Sequence, residues 1–234
     1  MAQITVTDKD YNKSNLLYVQ NSLSELLTQI NGSATCKQFG SRSVLSVVCD
    51  EEFSNLLRCE IADKTAEIVA INYKYEFFKK NVKLCGLSAT EYEILVASLI
   101  AADLEDDKRY AYEKMKTEED IAVDGLYNFR MQPLKSKWQD VVSYVPTGFV
   151  NSQLKDFISY LLENKKKRVY IDCGKVYDSH FRLLKRSSLL GGNKVNVVRE
   201  VLLSNCGEIE LVGSLPAEDE RYLKEFYCEK IIFS

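Results

Sequence analysis

The spacing of apolar residues changes character several times along this chain. After a short β-branched opening, ITV, which predicts a strand, Leu16, Val19, Leu23, Leu26 and Ile30 recur at steps of three and four. That spacing predicts an amphipathic helix, closed by the left-handed stop Asn31-Gly32. ATCKQF (34–39) and SVLSVVC (43–49) predict two strands joined across Gly40-Ser41 as a hairpin. From Phe53 the helical period returns: Phe53, Leu57, Ile61, Ile68, Ile71, Tyr75 and Phe78 share one face for about 25 residues, a length of ~40 Å at about 1.5 Å per residue.

Ser88 and Glu91 stand three apart in SATE, a capping box ahead of the apolar run through Leu95 and Leu99, so a second long helix is expected from Ser88 to about Met115. Its far half, DLEDDKRYAYEKMKTEED, is charged enough to read as a solvated helix end and loop. Leu134, Trp138, Val141 and Val145 predict a further helix, with Pro133 marking its start or kinking it. Pro146-Thr147-Gly148 breaks the chain before another helix through Leu154, Phe157, Ile158, Leu161 and Leu162. The tail alternates: RVYIDC as a strand, VNVVREVLLSN as a helix, EIELVG as a strand, a helix opened by Pro216, and KIIFS as a closing strand.

These elements predict an α+β, mixed α/β fold in three parts: an N-terminal α/β segment (1–50), a helical middle (51–165) and a C-terminal strand-helix-strand segment (166–234). No Pro/Gly/Ser-rich linker separates them, so one compact body is compatible with the sequence.

Composition narrows the function classes. With 46% hydrophobic residues the chain can bury a sizeable core, and a net charge of −3 supplies no general basic field for nucleic acid or an anionic membrane. The opening residues lack the basic and apolar regions of a signal peptide, and no run approaches the ~18 apolar residues of a membrane span. The seven cysteines are odd in number, irregularly spaced and without a CxxC pair, which fits reduced thiols in a cytoplasmic protein.

Chemistry-bearing motifs are few. His180 is the only histidine; Cys173 with His180 is a weak candidate dyad, and there is no GxSxG elbow. Scattered cysteines and one histidine do not make a zinc site, so no metal or cofactor is assigned. The acidic groups Glu105-Asp106-Asp107 and Glu118-Glu119-Asp120 read as solvated helix ends, and Gly191-Gly192 as a turn and not a phosphate cradle. The dense basic run Lys165, Lys166, Lys167 and Arg168 suits a helix C-terminus, with nucleic-acid contact as its second reading. In DGLYNFRMQPLKSKW (124–138), a helix begun by Asp124 would turn Leu126 and Phe129 inward and leave Asn128 and Arg130 near the edge. Arg130 would then serve as a structural clamp to a neighbouring helix, or in recognition.

DGLYNFRMQPL, the tryptophan-containing helix after it, LKDFISYLL, RVYIDC and the ending EIELVG-helix-KIIFS together resemble the YtxC family of sporulation proteins of endospore-forming Firmicutes, which carry a DGFxxFR-type stretch. The long helix from Phe53, preceded by a strand ending in CDE, matches that layout. The resemblance implies a cytoplasmic protein of the sporulation programme without a prosthetic group, with Gly125, Asn128, Phe129 and Arg130 as the family-like positions. It transfers no catalytic residue. The expectation is a non-enzymatic protein that binds another protein; an enzyme with a carboxylate metal or phosphate site, or a nucleic-acid binder through 165–168, are the alternatives.

Overall fold

The computed structural model describes residues 1–163, 165–192 and 194–233, the side chains of Glu229 and Phe233 excepted. In chain order the first elements are β1 (Ala2–Lys9), α1 (Lys13–Gln29), β2 (Ser33–Phe39), β3 (Arg42–Cys49) and α2 (Ser54–Glu67). A π-helix (Ile68–Tyr73) leads into α3 (Lys74–Asn81), and α4 (Ala89–Ala101), α5 (Leu104–Glu113), β4 (Asp120–Ala122), α6 (Val123–Arg130) and α7 (Gln132–Tyr144) follow. The remainder comprises α8 (Asn151–Leu161), β5 (Arg168–Asp172), β6 (Lys175–Tyr177), α9 (Asn196–Leu203), β7 (Glu208–Leu211), α10 (Ala217–Tyr227) and β8 (Ile231–Phe233). Helices and two mixed four-stranded sheets make this an α+β fold among the described residues. No described helix is long and apolar enough to cross a membrane.

Contacts group the chain differently from three consecutive segments. One compact unit comprises Met1–Lys74 and Glu105–Asp140; the other comprises Tyr75–Leu104 and Val141–Ser234, of which Ser234 lies outside the described residues.

In the first unit the sheet order is β2-β3-β1-β4, with β1, β2 and β3 antiparallel in turn and β4 parallel to β1. Strand alternation turns Ile4 and Val6 of β1 and Leu45, Val47 and Cys49 of β3 inward, against the α1 residues Leu16, Val19 and Leu23. Asn31, at φ 52°, ends α1 as expected, and Gly40, at φ 59°, turns the β2–β3 hairpin. The helical run from Ser54 to Asn81 matches the expected extent, but its middle is wound as a six-residue π-helix. Apolar periodicity does not separate this from α-helix, because Ile68, Val69, Ala70 and Ile71 are all buried.

In the second unit the sheet order is β6-β5-β7-β8, with β5, β7 and β8 parallel and β6 antiparallel to β5. The parallel connections run through α9 and α10. Val169, Ile171, Val176 and Ile209 are the buried positions of this sheet. The Ser88 capping box forms as the sequence predicts: Glu91 N–H donates to Ser88 Oγ at 3.2 Å and Ser88 N–H donates to the Glu91 carboxylate at 2.7 Å. The helix it opens stops at Ala101, however, and α5 is a separate helix.

Candidate functional site

Strand β4 runs straight into α6, so the parallel β1–β4 pairing aims the DGLYNFR stretch. Two anchors fix it within the first unit. The Asp124 carboxylate accepts from both terminal nitrogens of Arg42 on β3, at 2.6 and 3.3 Å, and Arg42 also donates to Thr7 Oγ1 at 3.3 Å. Tyr127 lies between Tyr73 (ring centroids 4.5 Å apart) and Trp138 (6.2 Å), with Lys135 Nζ 4.2 Å from its centroid.

Beyond these anchors Asn128, Phe129 and Arg130 all face solvent. Phe129 is 84% exposed and not turned inward as expected. The helix starts at Val123, one residue earlier than the Asp124 start assumed from sequence; Val123, Asp124, Leu126 and Tyr127 take the covered face. Arg130 is not a half-buried clamp: its side chain is 53% exposed and meets Glu118, twelve residues back, through one 2.7 Å hydrogen bond. The bidentate clamp of this stretch is Asp124 with Arg42. Gly125 has an ordinary helical backbone, and a methyl there would meet only Ala122 Cβ at 3.5 Å.

A second polar cluster lies where the π-helix ends. Strand alternation continues inward to Asp8 and Ser43, so the covered face of the sheet turns polar at this end. Asp8 Oδ1 accepts from Tyr73 OH at 2.7 Å, Lys9 N–H at 2.8 Å and Asn12 Nδ2 at 3.2 Å; Oδ2 accepts from Asn15 Nδ2 at 3.4 Å. Asn15 Nδ2 also donates to Asn72 Oδ1 at 3.0 Å. Burial raises the Asp8 carboxyl above its ordinary pKa despite these donors, and burial together with Asp8 pushes the Tyr73 phenol up.

One residue further on, Lys74 and Asp107 are both fully buried, and Asp107 accepts from Lys74 Nζ, Lys137 Nζ and Trp138 Nε1, each at 2.7 Å. The acidic group 105–107 is therefore not simply a solvated end. Glu118 and Glu119 are likewise engaged, with Arg130 and Arg58. Sequence reasoning missed Asp8, Asp107 and Asp124 as network centres. Only Asp8 carried a signal, its place in the inward alternation after Ile4 and Val6.

In the second unit Cys173 and His180 are both exposed, and no hydrogen bond joins them among the described residues. The neighbouring Asp172 raises the Cys173 thiol pKa, the reverse of nucleophile activation. Gly191 and Gly192 form a turn with φ 67° at each, and their carbonyls accept from Arg199 at 2.9 and 3.4 Å, while Asn193 lies outside the described residues. Arg199 is buried, near Glu93 (3.7 Å), and burial lowers its pKa. Lys165, Lys166 and Lys167 lie beyond the end of α8 and lead into β5, so they do not complement a last helical turn. Among the described residues no three His, Cys, Asp or Glu side chains are grouped to hold a metal ion.

Comparison with family models, with curated proteins and with solved structures finds no match.

Proposed function

We propose that this protein acts by binding another protein, as a non-enzymatic cytoplasmic member of the endospore-formation programme, and that Asn128, Phe129 and Arg130 form the contact. The observation that carries this reading is Phe129: it stands 84% exposed between two exposed polar residues on a helix whose other face is locked by Asp124–Arg42 and by the Tyr127 stack. A rigidly mounted aromatic beside an arginine is the composition of an interface hot spot, since both are fixed before the partner arrives and lose little freedom on binding. The sporulation context rests on the resemblance of DGLYNFRM to the YtxC-type stretch. The buried carboxylates Asp8, Asp107 and Asp124 are each engaged by donors within the fold, which favours structural duty over a carboxylate reaction centre.

Deleting the gene in the native host and complementing it with wild type, Phe129→Ala or Arg130→Ala tests both parts. Heat-resistant spores should fall on deletion, return with wild type, and stay low with Phe129→Ala although that variant melts like the wild type. A photo-crosslinker at position 129 should trap one protein in sporulating cells. Unchanged spore counts on deletion would overturn the context, and full rescue by Phe129→Ala would overturn the contact.

A further inference from the structure

The second unit carries a surface that the α6 contact does not use. On one face of its sheet Ile209 and Leu211 of β7 and Ile231 of β8 line a small cleft together with Leu223 of α10. Alternation puts Arg168, Tyr170 and Asp172 of β5, Lys175 and Tyr177 of β6, and Glu208 and Glu210 of β7 on the other face, where all are partly or fully exposed. Cys173 and Gly174, at φ 47° and 74°, make the tight turn that sets Tyr177 opposite Tyr170.

After β6 the chain folds back in a turn that presents one ring. Asp178 Oδ1 accepts from the backbone N–H of His180 and of Arg182 at 2.8 and 3.0 Å, and Asp178 Oδ2 accepts from Arg182 Nε at 2.9 Å. Between these two anchored residues Phe181 adopts φ 58°, a left-handed conformation that bulky side chains rarely take. Its ring lies over Tyr170, centroids 4.7 Å apart and planes 29° apart, and Phe181 is still 69% exposed. Core packing does not account for a strained residue that stays in solvent. The turn holds a flat aromatic platform in the open.

The segment that carries the platform is rich in basic residues, and the carboxylates that β7 adds to the same face, Glu208 and Glu210, both meet Arg168. Residues 165–186 contain eight lysines and arginines against two acidic residues, Asp172 and Asp178, in a protein whose net charge is −3. Arg168 is held by Glu208 and Glu210, and Arg182 by Asp178. Lys165, Lys166, Lys167, Lys175 and Lys185 make no ion pair among the described residues. Gly207 keeps the run at 165–167 close to the start of β7: its N–H donates to the Lys167 carbonyl at 2.9 Å, and a methyl on it would collide with the Lys165 carbonyl.

We propose that this face binds single-stranded nucleic acid, with a base stacking on the exposed side of the Phe181–Tyr170 pair, and with Lys175 on the face and the adjoining lysines 165–167 neutralising the phosphates. Stacking needs only the flat face that every base has, and lysines without protein partners supply the counter-charge. An anionic membrane fits less well, because insertion into lipid calls for an apolar side chain standing free of the surface, whereas the Phe181 ring lies flat over Tyr170.

The test is fluorescence anisotropy of labelled 20-residue oligo(dT) and oligo(U) with the full chain, alongside sedimentation with phosphatidylserine vesicles. Wild type should bind one or both oligomers. Phe181→Ala should weaken binding about tenfold, while Phe181→Trp retains it. The double substitution Lys166→Ala, Lys167→Ala should flatten the slope of log K against log salt by about 1.4. Each variant is checked by its melting curve. Three results would overturn the proposal: no oligomer binding, binding equal in Phe181→Ala, or binding to vesicles alone. None of them touches the α6 contact.

Discussion

The two charged residues of DGLYNFR have opposite duties, and exposure decides which is which. Asp124 is nearly buried and engages a two-pronged arginine fork, whereas Arg130 is mostly in solvent and makes one hydrogen bond to Glu118. A screened, exposed pair is worth about 0–1 kcal/mol, whereas the buried Asp124 carboxylate accepts two charge-assisted hydrogen bonds from Arg42, which itself is partly solvated. Asp124→Ala should therefore lower stability by about 2 kcal/mol, and Arg130→Ala by less than about 1 kcal/mol, in denaturant melts read by circular dichroism. Equal losses would show that Arg130 carries more of the fold than its exposure allows. An exposed arginine held only by Glu118 beside Phe129 suits a contact made with something outside the chain.

Elements in the first unit are tied together by buried charge as well as by apolar packing. Lys74 follows the π-helix, Asp107 sits on α5, and Lys137 and Trp138 sit on α7, so one carboxylate holds three helical segments. Asp107 is dry and accepts three hydrogen bonds, a fully satisfied network that fixes how these segments meet. Asp107→Asn keeps the shape but removes the buried negative charge that Lys74 Nζ, Lys137 Nζ and Trp138 Nε1 all meet. We expect a loss of about 3–5 kcal/mol in chemical denaturation, larger than for Lys137→Ala, whose charge is partly solvated. A change below about 1 kcal/mol would mean that the Asp107 charge does not hold these segments together. At this scale the sequence shows helices and their order, but a charged run such as LEDDKRYAYE reads as solvated because the partners of Asp107 lie 30 residues or more away.

Across the described residues, burial outweighs hydrogen bonding at Asp8, Glu200 and Asp219, and raises each above its ordinary value. Glu91, held by Ser88, and Asp178, whose burial is outweighed by the Arg182 and His180 donors, move the other way. A carboxyl raised on folding binds its proton more tightly in the native state. Its stabilising contribution is complete below the unfolded value, 3.8 for Asp8, and is lost as pH rises through the folded value. Asp8→Asn does not titrate, so its melting temperature relative to wild type should rise between about pH 4 and the folded pKa of Asp8, then level off. A constant offset from about pH 3 to about pH 7 would place the Asp8 carboxyl at its ordinary value.

Local rules carried much of this fold. The hairpin across Gly40-Ser41, the Asn31 stop and the Ser88–Glu91 capping box all depend on residues within a few positions of each other, and the sequence alone determined them. Strands β4 and β6, three residues each, are too short to show alternation, although Cys173-Gly174 was a turn signal for the second. Tertiary structure alone decided the winding of the π-helix, the burial of Asp107 and the outward turn of Phe129. Each depends on which distant side chains close over a position, and spacing along the chain holds no record of that.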